Sequence, residues 1–529
     1  MPDTPPPLAP FDQMRDAWLE GLNLWQRMLD PAQAPETPEQ SRDKRFESPE
    51  WRENPWFDWV RRSYLTLSEH LLRGIDAAEG IDDRQRERMR FAARSFLDAM
   101  SPSNFPLTNP QVIARAVETN GESLRAGLAN LMADLGKGQL THTPGDAFEI
   151  GRNLATTPGK VVRRTPLYEL IHYTPTTEQV GAVPLLIFPP WINRFYILDL
   201  TPEKSFIRWA LDQGLSVFIV SWKSADATMK DVIWDDYVAA QREAVDAVRA
   251  ALDVPAVHTI GYCVAGTTLA ATLALMAARG EADRVASATF FTAQVDFSDA
   301  GELSHFIDDE QLAAVAALSP EGFLDGRYMA AAFNMLRGRD LIWNYVTNNY
   351  LLGKDYTPFE LLHWNGDTTN LPAKWHQSYL ADLYRDNRLV EAGSIVVDGT
   401  PIDLSKVETP AYVQAGREDH IAPAHSVWHL THRLSGPVRF VLAGSGHIAG
   451  VVNPPAAGKY QFWTNDGAPQ TLTEFVAGAQ ETKGSWWPDW LAWLRAIDPA
   501  TVPATGARVP GGNGGETLGD APGDYVRTR

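Results

Sequence analysis

The chain has 529 residues, 44% of them hydrophobic and 21% charged, which is enough to bury a core in each of roughly two to four domains. Its formal net charge of −19 repels phosphate backbones, which disfavours general nucleic-acid binding, and any anionic substrate would need local Arg or Lys to approach. The single cysteine, Cys263, excludes an intramolecular disulfide and suits a cytoplasmic chain, while 18 Trp exceed what core packing alone requires.

The opening Met1-Pro-Asp-Thr-Pro-Pro-Pro has neither the basic nor the apolar region of a secretory signal, and no stretch reaches the ~18 apolar residues that span a bilayer. Residues 1–44 are expected to be a Pro-rich segment carrying one amphipathic helix. Phe11, Met14, Trp18, Leu22, Trp25 and Leu29 recur at helical spacing, a face for docking on the rest of the protein or for an apolar surface. Residues 45–160 read as a helical domain, with periodicity over 84–100 and 111–135 and a break at Ser101-Pro102-Ser103-Asn104-Phe105-Pro106. From there to about 495 the pattern changes. Apolar β-runs at 167–173, 183–188, 217–222, 257–262, 286–291, 411–414 and 439–442 alternate with helical stretches such as 235–252, which predicts βαβ units and a mostly parallel sheet. The aromatic, helix-like span of about 298–405 interrupts this series as an inserted cap. The Gly- and Pro-rich tail, 496–529, is expected to be extended.

The sharpest signal is Gly261-Tyr262-Cys263-Val264-Ala265-Gly266, at the end of a β-run and the start of a helical one. This is the nucleophile elbow of α/β-hydrolases with Cys in place of Ser. A tight strand-to-helix turn needs small flanking residues, here assigned to Gly261 and Ala265. The adjoining helix N-terminus favours negative charge on sulfur, and the amide of Val264 is the expected oxyanion donor. A second donor is expected in Pro189-Pro190-Trp191-Ile192-Asn193, from Ile192 or a neighbour, although a rigid turn without a catalytic amide fits those residues equally. In the order nucleophile, acid, histidine, Asp419 and His447 each follow a late β-run in a turn. His447 would take the thiol proton and Asp419 would orient the imidazole. Glu418 and Asp296 are rival acids, and His420 is a rival base.

Taken together, these segments resemble the polyhydroxyalkanoate (PHA) synthases, most closely the short-chain, single-subunit class. The likeness is carried by Gly261-Tyr-Cys-Val, Arg417-Glu-Asp-His-Ile, Gly446-His-Ile-Ala-Gly-Val-Val-Asn-Pro-Pro455, Trp364-Asn-Gly-Asp-Thr-Thr-Asn-Leu-Pro372 and Gly484-Ser-Trp-Trp-Pro-Asp-Trp490, in the family's order and over nearly all of the chain beyond about residue 45. One position departs from the pattern: Ala265 stands where the family usually has Gly, which puts the width of the elbow and the level of activity in question.

The resemblance implies an α/β-hydrolase fold with a helical cap and a helical N-terminal domain. It implies an acyltransferase that polymerises (R)-3-hydroxyacyl-CoA, chiefly 3-hydroxybutyryl-CoA, through an acyl-cysteine, with no metal or other cofactor. His447 or Asp419 would activate the 3-hydroxyl, and the cap would shield the acyl-enzyme from water. The resemblance further implies a cytoplasmic homodimer, joined through the cap, at the surface of PHA granules and in contact with granule-associated proteins. Arg337, beside Arg339, and His420 are candidate substrate contacts, with a solvated surface charge as the plain alternative for Arg337. A cysteine thioesterase or polyester hydrolase would share the elbow and triad. A non-catalytic granule scaffold would share only the fold.

Overall fold

A computed structural model describes residues 37–528, so the amphipathic segment at 11–29 lies outside the described residues. The chain forms two compact units. Among the described residues, one comprises those up to His142 together with Ala331–Thr357, and the other comprises Thr143–Ala330 and those from Pro358 onward.

The first unit is built on four helices, α1 (Pro55–Asp76), α2 (Asp83–Ala99), α3 (Pro110–Glu118) and α4 (Glu122–Lys137). Their starts are legible in the sequence: Asn54 and Asn109 cap the orphan amides of α1 and α3, each followed by Pro at the first position, and Asp82 with Gln85 forms a capping box on α2. The periodic stretch 111–135 is two helices, because Asn120 and Gly121 adopt left-handed backbone (φ 50° and 84°) and turn the chain. A small core of Phe46, Trp51 and Leu65 anchors α1, with Phe46 edge-on to Trp51 at 4.9 Å. The 331–357 segment packs on α4 so closely that a Cβ at Gly127 would fall on the Tyr350 carbonyl. Asn130 Nδ2 donates to Asn349 O (3.1 Å) in the same contact.

The second unit holds an eleven-stranded sheet. Its strands are β1 (Gly159–Arg164), β2 (Tyr168–Tyr173), β3 (Leu185–Phe188), β4 (Val217–Trp222), β5 (Val257–Tyr262), β6 (Val285–Phe291), β7 (Ala411–Gly416), β8 (Val438–Ala443), β9 (Gln461–Thr464), β10 (Gln480–Lys483) and β11 (Gly519–Asp520). They are ordered β10-β9-β8-β7-β6-β5-β3-β4-β2-β1-β11. Strands β3 to β8 are parallel, and antiparallel strands flank them on both sides. Strands β3, β4, β5 and β7 are buried at every position, as expected where both faces of a sheet are covered.

On one face lie α5 (Trp234–Leu252) and α6 (Val264–Ala278), against Leu186, Phe188, Val220 and Ala288. On the other, α7 (Trp487–Ile497) packs Trp487 and Trp490 against Ile187, Ile219 and Phe291. Helix α6 is buried on every side, and its threonines are accommodated because each finds a partner: Thr267 Oγ1 donates to Gln294 O (2.7 Å), and Thr268 Oγ1 accepts from Trp234 Nε1 (2.9 Å). The stretch beyond 496 is packed as well as extended. Thr501–Pro503 pairs with Gln179–Gly181, and Arg508 donates to the carbonyls of Gly181 (3.2 Å) and Ala182 (2.7 Å).

Candidate active site

Strand β5 ends at Tyr262 and α6 begins at Val264, so one residue makes the whole turn. That residue is Cys263, held at φ 53° and ψ −127°, a conformation that L-residues rarely adopt. Its amide donates to Phe291 O (2.9 Å) and its carbonyl accepts from Gly266 N (2.8 Å), so the neighbouring strand and the first helical turn both hold it in place. The tight crossing lies between Gly261 and Gly266. A Cβ on Gly261 would sit 2.6 Å from Gly266 Cα, and one on Gly266 would sit 2.4 Å from Ala293 Cβ and 2.8 Å from Gly261 O. The second obligatory small residue is therefore Gly266, and the sequence-based assignment to Ala265 is corrected. The methyl group of Ala265 is buried in the core, and its carbonyl accepts from Gln241 Nε2 (3.0 Å).

Asp419 follows β7 and His447 follows β8. The two loops are tied together by Arg417 N to Ala443 O (2.8 Å) and Glu418 N to Ser445 O (3.1 Å). His447 Nδ1 lies 2.7 Å from Asp419 Oδ2. The other oxygen, Oδ1, accepts from the amides of Ile421 (2.8 Å) and Ala422 (2.9 Å), so the carboxylate cannot rotate away. The Cys263 sulfur is close enough to the imidazole to act on its charge. Burial works to lower the His447 pKa, but the negative charge of Asp419, the Cys263 sulfur and the hydrogen bonds to both outweigh it and raise the value to about 10. The histidine loop is braced from beneath: Tyr262 donates to His447 O (3.0 Å), and the indoles of Trp486 and Trp487 donate to Gly450 O (2.7 Å) and Val451 O (2.9 Å).

The structure thus brings Cys263, Asp419 and His447 together. The rival acids are placed elsewhere. Glu418 is exposed. Asp296 pairs with Arg433 (2.6 Å), and although burial would raise its pKa, Arg433, Ser298 and Asn387 hold it below the usual carboxylate range. His420 is half-buried beside Asp419 in the chain. Arg337 belongs to the first unit, where it is exposed and bonded to Asp340 (2.7 Å). Val264 opens α6, so its amide has no acceptor within the helix. In the loop after β3, Asn193 N donates to Thr369 Oγ1 (3.0 Å), whereas the Ile192 amide meets no protein acceptor among the described residues.

That loop is fastened to the 364–369 segment. Trp364 Nε1 donates to Arg194 O (2.6 Å), Thr369 Oγ1 to Trp191 O (2.6 Å), and Asn193 Nδ2 to the carbonyls of Trp364 and Asn365 (both 3.1 Å). Buried Asp367 accepts from Arg194 Nε (3.0 Å) and Tyr196 OH (2.9 Å). Sequence reasoning missed Tyr379 and Tyr384, on whose phenols the Cys263 sulfur acts, and Gln294, whose carbonyl accepts from Thr267 Oγ1 (2.7 Å) in the first turns of α6. Burial first, and the nearby Cys263 sulfur among the other causes, raise the pKa of both phenols. Nothing in the local sequence marks these residues, since folding alone brings them to the elbow.

A family model described as the N-terminus of poly-beta-hydroxybutyrate polymerase (PhaC) matches residues 42–210, and one for the alpha/beta hydrolase fold matches residues 189–454. The chain is 45% identical over 521 residues to a poly(3-hydroxyalkanoate) polymerase subunit PhaC of Rhizobium meliloti (strain 1021), covering 96% of this chain and 84% of that protein. It is 46% identical over 494 residues to a poly(3-hydroxyalkanoate) polymerase of Methylorubrum extorquens, covering 92% and 81%. It is 42% identical over 519 residues to the PhaC subunit of Cupriavidus necator, covering 96% and 86%. With a cysteine elbow on an α/β-hydrolase sheet and relatives of this identity along nearly its whole length, the chain belongs to the poly(3-hydroxyalkanoate) polymerase family.

Proposed function

We propose that the protein polymerises (R)-3-hydroxyacyl-CoA, chiefly 3-hydroxybutyryl-CoA, by acyl transfer through Cys263, as a short-chain, single-subunit enzyme. The observation that carries this reading is the buried His447–Asp419 pair, 2.7 Å apart, beside the chain's one cysteine at the elbow. His447 takes the thiol proton. The sulfur attacks the thioester carbonyl to form a new C–S bond, and the bond from that carbonyl to CoA breaks. CoA leaves as a thiol carrying the proton from His447. The amides of Val264 and Ile192 face the oxyanion. Acylation removes the sulfur charge that had helped to raise the His447 pKa, so the imidazole is released to act as a base toward the 3-hydroxyl of the next monomer. That oxygen attacks the acyl-cysteine, an ester forms and the thiol is restored. Both oxygens of Asp419 are already engaged, which favours His447 as the base.

Apolar side chains exposed on the first unit, among them Trp56, Leu107, Val117, Met132 and Leu135, suit a protein working against an apolar polymer, and we extend the proposal to a homodimer at the granule surface. Purified protein incubated with (R)-3-hydroxybutyryl-CoA should release CoA and deposit insoluble polyester, and Cys263→Ala should do neither. CoA release with only soluble 3-hydroxy acid would make the protein a thioesterase. No release from folded protein would leave it a scaffold.

A further inference from the structure

Strand β3 lies beside β5, and Phe188 at its end pairs with Gly261, two residues before the nucleophile. The loop that follows therefore starts at the elbow, and in it Ile192 is half-buried between buried Trp191 and Asn193. The least costly motion of such a loop is a peptide flip, which reverses an N–H while the neighbouring Cα atoms stay in place. Two peptide groups meet at Ile192, and one side chain grips both. Thr369 Oγ1 donates its single proton to Trp191 O (2.6 Å), in the peptide between Trp191 and Ile192. The same oxygen accepts from Asn193 N (3.0 Å), in the peptide between Ile192 and Asn193. The first of these peptides is trans, so a carbonyl directed at Thr369 directs the Ile192 N–H the opposite way, where it meets no protein acceptor among the described residues. Thr369 is itself buried and held from both sides. Asn370 Nδ2 donates to Ala225 O (3.0 Å) and its Oδ1 accepts from Gly326 N (3.0 Å), while Asp367 accepts from Arg194 Nε (3.0 Å).

We propose that Thr369 is a positioning residue for acyl transfer: its hydroxyl locks the peptide group that carries the Ile192 N–H, so that this donor is already oriented when the oxyanion forms on the thioester carbonyl. This rests on the acyl-transfer reading above, with Ile192 as an oxyanion donor, and deepens it. A donor that must turn during the reaction stabilises the developing charge less than one already in place. The Thr369 proton is committed to Trp191 O, so its hydroxyl acts through Ile192 and not on substrate. Its effect is therefore confined to the tetrahedral state, and its loss should slow acylation of Cys263 without weakening the binding of the thioester beforehand.

Single-turnover release of CoA from (R)-3-hydroxybutyryl-CoA tests this. Thr369→Val keeps the shape of the side chain and removes the hydroxyl. At saturating substrate the first CoA per Cys263 should appear about 10- to 100-fold more slowly, approaching the loss of an oxyanion donor, while the half-saturating concentration stays within about twofold. Methylthiolation of Cys263, which passes through no oxyanion, should keep its rate within about twofold. Thr369→Ser returns the hydroxyl and should bring release back to within about threefold of normal. A purely structural role predicts instead that release and methylthiolation fall together, or that Ser is no better than Val. Either of those results overturns the proposal, as does unchanged release in Thr369→Val. Should Thr369→Val fail to fold, Thr369→Ala is read by the same measurements. The unaltered protein supplies a further check. On addition of 3-hydroxybutanal, whose carbonyl takes up the Cys263 thiol as a thiohemiacetal, the Ile192 amide resonance should move downfield. If it does not move, no donor stands there for Thr369 to position, and the proposal fails. If the unaltered protein releases no CoA, the acyl-transfer reading falls and this inference falls with it. Normal release that Thr369→Val leaves unchanged removes only the inference.

Discussion

Cys263 keeps its left-handed backbone because Gly261 and Gly266 let strand and helix approach to a distance that leaves no room for a Cβ. Gly266→Ala should therefore destabilise the protein by about 1–3 kcal/mol through overpacking against Ala293, read as a lower denaturation midpoint, and should slow acylation of Cys263. Ala265→Gly, which restores the residue usual in the family, should instead cost about 1 kcal/mol of helix stability and leave CoA release within about twofold. A large gain in rate would mean that the Ala265 methyl does narrow the elbow. His447 offers a titration test. Its folded pKa of about 10 lies above the ordinary 6.5, so the stability its protonation contributes is complete below about pH 6.5 and is lost as pH rises through about 10. In Asp419→Asn the largest opposing charge is gone, burial prevails, and the imidazole pKa should fall well below 10. NMR of ring-labelled histidine would follow this fall, and an unmoved titration would break the link between the two residues. The same substitution should lower CoA release by about two to four orders of magnitude. Cys263, Asp419 and His447 were readable as candidates because each follows a recognisable β-run. Gln294 and Tyr384 were not, since their relation to Cys263 exists only across loops.

The site is built from the loops that follow β5, β6, β7 and β8, so it depends on how those elements are held. Parallel strands with both faces covered are continuous apolar runs, and 217–222 and 257–262 were placed correctly from that feature alone. Of the flanking antiparallel strands, β2 was legible as the run 167–173, whereas β1, β9, β10 and β11 left no such trace. Strand β10 is Gln480-Glu-Thr-Lys483, exposed throughout, and it pairs only because β9 offers its edge. Helix α7 and the residue before it contribute more than packing, since the indole of Trp486 donates to the loop that carries His447. Trp486→Phe keeps most of the buried ring but strands the Gly450 carbonyl. It should cost about 1–3 kcal/mol and lower kcat through a loosened His447, with thiol accessibility little changed. An unchanged kcat in a destabilised variant would make this contact purely structural.

Across the second unit, the 364–369 segment and the loop after β3 are fastened by a buried ion pair, Arg194–Asp367 at 3.0 Å, whose other bonds go to Tyr196 and Tyr525. Arg194→Met leaves Asp367 charged and buried and should cost about 3–5 kcal/mol in urea denaturation, far more than a surface pair such as Arg337–Asp340. A cost below about 1 kcal/mol would show that water reaches Asp367. The sequence by itself determined the parallel α/β sheet, the strand-to-helix turn at Cys263, the pairing candidates Asp419 and His447 and the family, because each is written in local periodicity or in a motif of adjacent residues. Only the tertiary structure decided that Gly266 rather than Ala265 makes the close crossing, that 331–357 joins the N-terminal helices in one compact unit, and that Gln294 meets Tyr384. These are contacts between residues far apart in the chain. The hydrophobic pattern of a segment specifies which face it buries, but the partner that covers that face is chosen only when the whole unit packs.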